Sequence, residues 1–267
     1  MNGKKWIGII VVVAVAAAGI LLWSGWKRQS EVLVLCGGSM RAALEDAIDR
    51  YKESHDVDVL ASYGGSGDLC AQIQRTQKGD IYVCHDPFMP WAADQGLNDA
   101  WTTVGSLEVV IIVPRGNPKG IEGLEDLTTP GLRLGIGDRT YSTSGQIVKN
   151  ILSNVEYGEE ILKNVRLETK GHQQRCNDVA MGTLDAAIVW SAVAGLFADR
   201  LDVISIPKTH IDAVTSATYK ESDLRDVKVT VGVTTYAKDK PGVREFYDFV
   251  TAACKDIFEE HGFGSVE

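Results

Sequence analysis

From Val32 onward, short apolar runs alternate with segments of helical periodicity, and the alternation recurs as two series separated by the turn formers Arg115-Gly116-Asn117-Pro118-Lys119-Gly120. Strands and helices in alternation argue a parallel sheet flanked by helices. In the first series strands are read at Val32–Leu35, Val57–Ala61, Gly79–Asp86 and Leu107–Pro114. The second supplies Leu132–Asp138, Val165–Thr169, Ala186–Trp190 and Leu201–Ile206, with helices over Gln146–Leu152, His172–Met181 and from Ser191 to Phe197. Val227–Thr234 alternates valine with other residues, as a strand does. Pro241–Glu260 is amphipathic, with Val243, Phe246, Phe249, Val250, Ala253 and Ile257 on one stripe. Packing that helix back on the first lobe makes the chain cross between lobes twice, near Val113 and near Val227. The expected division is an N-terminal signal anchor or signal peptide over 1–30, a first lobe from 31–114 plus 227–267, and a second lobe over 115–226. The polar stretch Lys208–Asp226 is read as an excursion.

Two glycine-serine turns, Cys36-Gly37-Gly38-Ser39 and Gly64-Gly65-Ser66-Gly67, stand where a strand gives way to a helix. At a helix start the first backbone N–H groups have no partner within the helix and the macrodipole presents partial positive charge, so an anion binds there without a cationic side chain. Glycine lets the ligand approach the backbone. Ser39 and Ser66 are equally the residues expected to cap their own helices. Recurrence at successive strand ends favours a ligand role, since open α/β sheets bind ligands at that edge.

Trp6 to Trp26 is apolar apart from one serine and is flanked by Lys4-Lys5 and Lys27-Arg28, about the length of a membrane span. An uncleaved signal anchor is expected, although Ala14-Val15-Ala16-Ala17-Ala18-Gly19 offers cleavage sites within the run. The chain carries 27 basic and 36 acidic residues, a net charge of −9, and its first thirty residues contain basic side chains and no acid. The remainder is therefore more acidic still, which excludes a polyanion-binding surface and argues against nucleic acid as a partner. Five cysteines lack a C-x-x-C pair, so no zinc ribbon or redox motif is present. A bridge from Cys36 to Cys70 or Cys84 is compatible with an oxidising compartment.

Six blocks in order carry a family resemblance: the strand before Gly37-Gly38-Ser39; Ser62-Tyr63-Gly64-Gly65-Ser66-Gly67-Asp68-Leu69; Gly79-Asp80-Ile81-Tyr82-Val83; Gly137-Asp138 followed by Ser144-Gly145; Ala187-Ile188-Val189-Trp190-Ser191; and Phe246-Tyr247-Asp248-Phe249 through Gly262-Phe263. From Val32 to Phe263 the chain resembles a molybdate-binding, ModA-type extracytoplasmic solute-binding protein of an ABC transporter. The resemblance implies an α/β, type II periplasmic binding protein fold of two lobes, each a mixed, mostly parallel sheet flanked by helices. It also implies a tetrahedral oxyanion, molybdate or tungstate, delivered to a transporter permease by a monomer outside the cytoplasm, with no cofactor and no metal-cation ligands. Carried over by position, the family's serine donors fall on Ser39 and Ser66, its second-lobe turn donor on Ser144 with Gly145, and a further backbone donor on His172 or Gln173. Its binding tyrosine falls on Trp190, a departure that leaves another oxyanion such as sulfate open. Trp190 at the end of an apolar strand also suits plain packing.

Catalysis finds no support. The sequence lacks a Gly-x-Ser-x-Gly elbow, a His-Glu-x-x-His pair and a phosphate-loop lysine. Asp86 and Asp138, at strand ends, are read as turn formers. The alternative to transport is a membrane-anchored sensor whose lobe closure is read by a partner.

Overall fold

Runs rich in valine and isoleucine become strands wherever both faces can be covered, because β-branched side chains pack well on a pleated surface. The computed structural model describes residues 31–210 and 227–265. Its strands are β1 (Glu31–Gly37), β2 (Asp58–Gly64), β3 (Ile81–His85), β4 (Asn98–Leu107), β5 (Val109–Pro114), β6 (Leu134–Gly137), β7 (Val165–Thr169), β8 (Ala186–Trp190), β9 (Leu201–Ser205) and β10 (Val227–Thr234). They form two five-stranded sheets, ordered β2-β1-β3-β10-β4 and β7-β6-β8-β5-β9. In the first, β1 runs parallel to β2 and β3 while β10 is antiparallel to β3 and β4. In the second, β6 runs parallel to β7 and β8 while β5 is antiparallel to β8 and β9. Each sheet therefore holds one reversed strand, and in each it lies between the third and fifth positions.

The helices are α1 (Arg41–Lys52), α2 (Ser66–Thr76), α3 (Phe88–Asp94), α4 (Thr143–Asn154), α5 (Gly158–Lys163), α6 (His172–Ala180), α7 (Ser191–Gly195) and α8 (Val243–Glu260). Strand alternation decides what they cover. Val32, Val34 and Cys36 pack with Ala43, Ala47 and Phe246, whereas Leu35, Tyr82 and Cys84 pack on the opposite face with Leu69, Ile73 and Met89. Helix α8 lies on α1, as its apolar stripe requires, with the Tyr51 and Phe246 rings 5.0 Å apart. The same alternation rules out the considered disulfides: Cys36 sits on one face of the sheet and Cys70 and Cys84 on the other, and all are free and buried.

Two sequence readings need correction. The apolar run through Pro114 was assigned to the first lobe, yet β5 is a central strand of the second sheet, with Val109 paired to Trp190 and Val110 to Ser205. The chain passes between sheets at Glu108, whose N–H donates to Ser191 Oγ at 3.4 Å. Val109 through Val113 are all buried, and such a run fits a central position in either sheet. Strand β4 was not read at all, because Trp101, Thr102 and Thr103 break its apolar pattern. It is an edge strand, where partial exposure suits those residues. Among the described residues no helix is long and apolar enough to cross a membrane. The expected anchor at 6–26 lies outside them, as do residues 211–226 of the excursion, which begins as a short helical turn at Lys208–His210.

Candidate functional site

The strand ends of both sheets open on one cleft of about 700 Å³ whose lining includes Ser39, Ser66, Ser144, His172 and Trp190. Five of the six residues singled out from sequence thus converge. The sixth, Gly145, is absent from the lining, and its N–H is engaged by Ser142 Oγ at 3.1 Å. Glycine is needed there for another reason, since a Cβ would lie 2.0 Å from the carbonyl oxygen of Asp138.

On the first-sheet side neither serine caps a helix. Gly38–Met40 forms a tight helical turn ahead of α1, and Gly65 rather than Ser66 precedes α2, so the chain turns one residue earlier than the capping reading assumes. The Ser39 hydroxyl makes no hydrogen bond among the described residues. Ser66 is 5% exposed, and its Oγ is buried without a partner. It packs under Gly37, where a Cβ would approach it to 2.5 Å. The Ser66 carbonyl accepts the Tyr82 hydroxyl at 2.6 Å, which fixes the backbone of this turn to β3.

The second-sheet side is more connected. Ser142, which sequence reading passed over, is the cap of α4, and its hydroxyl donates in turn to the Asp138 carbonyl at 2.8 Å. Asp138 is a turn former as expected, accepting the N–H groups of Thr140 and Tyr141 at 2.9 and 2.7 Å. Ser144 is 2% exposed, and its Oγ lies 3.3 Å from His172 Nε2. His172 is half-buried at the first position of α6, and its Nδ1 accepts the Trp190 backbone N–H at 3.2 Å. Burial, then the neighbouring Arg175 charge, then His85 hold its pKa well below that of a free imidazole, so it is neutral at pH 7.

Trp190 is placed both in the core and at the cleft. It is 1% exposed and belongs to the core, yet it also lines the cleft floor between His172, stacked at 5.7 Å, and His85 of the first sheet at 5.6 Å. His85 was missed as a site residue. Its Nδ1 donates to the Asp86 carbonyl at 2.7 Å, and burial lowers its pKa against the opposing effect of that bond. Phe88 closes the wall at 5.5 Å from His85. The ionised side chains in the lining, Asp68 and Lys170, are both exposed. The floor is therefore neutral and supplies hydroxyl and helix-start donors. Such a set orients an anion without a contacting cation.

A family model described as bacterial extracellular solute-binding protein matches residues 32–264. A Haemophilus influenzae protein named only as a binding protein is 22% identical over 237 residues, covering 88% of this chain and 91% of that one. The molybdate-binding protein ModA of Mycobacterium tuberculosis is 23% identical over 219 residues, covering 76% of this chain and 82% of its own. Among solved structures, the periplasmic molybdate-binding protein of Azotobacter vinelandii superposes with a TM-score of 0.71 at 15% identity, over 88% of this chain and 100% of that one.

Proposed function

We propose that this chain, which belongs to the bacterial extracellular solute-binding protein family, binds a tetrahedral oxyanion, molybdate or tungstate foremost, for delivery to an ABC transporter permease. The observation that carries the reading is the buried Ser66 hydroxyl, which has no hydrogen-bond partner among the described residues and stands at the start of α2 beside a neutral floor. A buried hydroxyl without a bond is unfavourable, and it is retained where a ligand supplies the missing acceptor. Ser39 offers a second free hydroxyl from the same side, and the Ser144 hydroxyl and the His172 backbone N–H at the start of α6 offer donors from the other.

An anion that touches both sides binds the closed cleft more tightly than the open one and shifts the population toward it. Neutral donors leave cavity size and donor geometry to rank dianions of one shape. The relatives named for molybdate support that choice of ligand, and Trp190 in place of a tyrosine is where preference among oxyanions would differ. Binding rather than catalysis is the role, outside the cytoplasm, with residues 6–26 as the membrane attachment. Calorimetric titration of the purified protein with molybdate, tungstate, sulfate and phosphate tests the reading. Molybdate or tungstate should bind with a dissociation constant of about a micromolar or below. Heat from none of the four would overturn it.

A further inference from the structure

We propose that Arg175 is the positioning residue of the second-sheet donors: a buried cation without a carboxylate partner that locks His172 as its Nε2–H tautomer, turns the Ser144 hydroxyl proton into the cleft, and makes the site prefer a dianion to a monoanion of the same shape. The last step rests on the oxyanion reading above, and the first two do not.

Arg175 stands one turn into α6, where an arginine on an amphipathic helix is ordinarily solvated, but it is 0% exposed. Its guanidinium reaches three groups. Nε donates to the Ile188 carbonyl at 3.2 Å, one terminal nitrogen donates to the Thr169 carbonyl, and the other lies 3.0 Å from His172 Nδ1. The two carbonyls belong to β7 and β8, so the cation is fastened beneath the strand ends that form the floor. Among the described residues no carboxylate pairs with it. Burial lowers its pKa to about 10, which leaves it protonated at neutral pH. A charge taken out of water is costly unless something compensates it, and here the protein supplies only dipoles.

The tautomer follows from which groups can donate. His172 Nδ1 faces the Arg175 guanidinium at 3.0 Å and the Trp190 backbone N–H at 3.2 Å, and neither can accept a hydrogen bond. Nδ1 must therefore present its lone pair, and the single proton of the neutral ring sits on Nε2. That proton points to Ser144 Oγ at 3.3 Å. Ser144 then accepts from His172, which leaves its own proton for the cleft. The opposite tautomer would reverse the chain: Ser144 would donate to Nε2 and turn oxygen lone pairs toward the anion. Protonating His172 would set a new N–H against two existing donors. The charged or titratable groups facing His172 are Arg175 from its own helix and His85 from β3, both of which oppose that proton. A dianion seated on Ser144 becomes the counter-charge that Arg175 lacks.

The test uses the full chain and two tetrahedral probes that differ by one charge, molybdate and perrhenate. Nitrogen-15 spectra of histidine-labelled wild type should show His172 with a protonated Nε2 and an unprotonated Nδ1, unchanged from about pH 8 to about pH 6, where a free imidazole titrates. In Arg175→Met the His172 signals should shift toward a tautomer mixture. Calorimetry should show molybdate affinity falling about tenfold or more, the scale of one charge-assisted interaction, with perrhenate falling by less than about threefold. A protonated Nδ1, titration of His172 at the ordinary imidazole pKa, or equal losses for both anions with the tautomer unchanged would overturn the proposal. Should Arg175→Met fail to fold, Arg175→Lys retains the charge: the molybdate preference should survive while the tautomer lock loosens. If wild type binds neither anion, the oxyanion reading fails, and the wild-type tautomer spectrum alone still decides the relay.

Discussion

Replacing Ser66 by alanine should raise the stability of the free protein while weakening its grip on the anion, and the two effects come from the same atom. Ser66 Oγ is buried without a partner. It caps nothing, since Gly65 precedes α2 and no side-chain bond closes that helix start. Leaving a buried hydroxyl unpaired costs about 1–3 kcal/mol, and alanine removes that cost with little change of volume. For a chain of this size, about 1 kcal/mol corresponds to about 2–4 °C in melting temperature, so Ser66→Ala should melt a few degrees higher. In the proposed complex the hydroxyl would donate to an anionic oxygen, an interaction of about 1.5–3 kcal/mol, and its loss should weaken affinity about ten- to a hundredfold. Differential scanning fluorimetry without ligand and titration calorimetry with molybdate read the two signs separately. A lower melting temperature with unchanged affinity would refute the reasoning, because it would show the hydroxyl serving the fold rather than the ligand.

Trp190→Tyr should lower the melting temperature, because trimming a ring that is 1% exposed leaves space between His172 and His85; it should also change the ratio of molybdate to sulfate affinity, and unchanged affinities would assign the ring to packing alone. Stability should fall as pH drops below about 6.5, the free imidazole value. His85 and His172 have lowered pKa values in the folded chain, so over that window the unfolded chain binds more protons, while above it both states are neutral and the contribution is complete. Melting curves across that range should lose much of their slope in a His85→Gln, His172→Gln double variant. Ser142→Ala should cost about 1 kcal/mol through loss of the α4 cap bond to Gly145 N, read by urea denaturation. For the N-terminus, mass spectrometry of cell-purified protein should find residues 6–26 retained, and a mature start beyond Ala14 would refute an uncleaved anchor.

What the sequence made legible was local, and what it hid was pairing and burial. The glycine-serine turns announce themselves because only a few residue types suit the end of a strand facing a helix start. Ser39, Ser66, Ser144, His172 and Trp190 all reach the cleft. The resemblance supplied the binding roles expected of them, which spacing alone left open between capping and binding. Strand β5 was misassigned because Val109–Val113 pairs equally well with any apolar neighbour, and register is set by residues eighty or more positions away such as Trp190. Arg175 escaped notice for the opposite reason. Its helix position predicts solvent, and only the closing of β7 and β8 above it turns a surface cation into a buried one. Ser142 and His85 carried signals that could have been used, a serine three residues before the N–H it caps and a histidine at a strand end.

The sheet order itself explains why such donors face each other. In each sheet the strands that carry the cleft-lining turns run one way, and a single strand, β10 in the first and β5 in the second, is reversed. Strand β5 starts at the cleft, pairing Val109 with Trp190, so the passage at Glu108 lies beside the floor rather than at the far ends of the lobes. Under the binding reading proposed above, a connection placed there would serve as a hinge beside the floor, where His85 of the first sheet meets Trp190 and His172 of the second. On that reading an anion touching both sides would supply the difference in free energy between an open and a closed cleft.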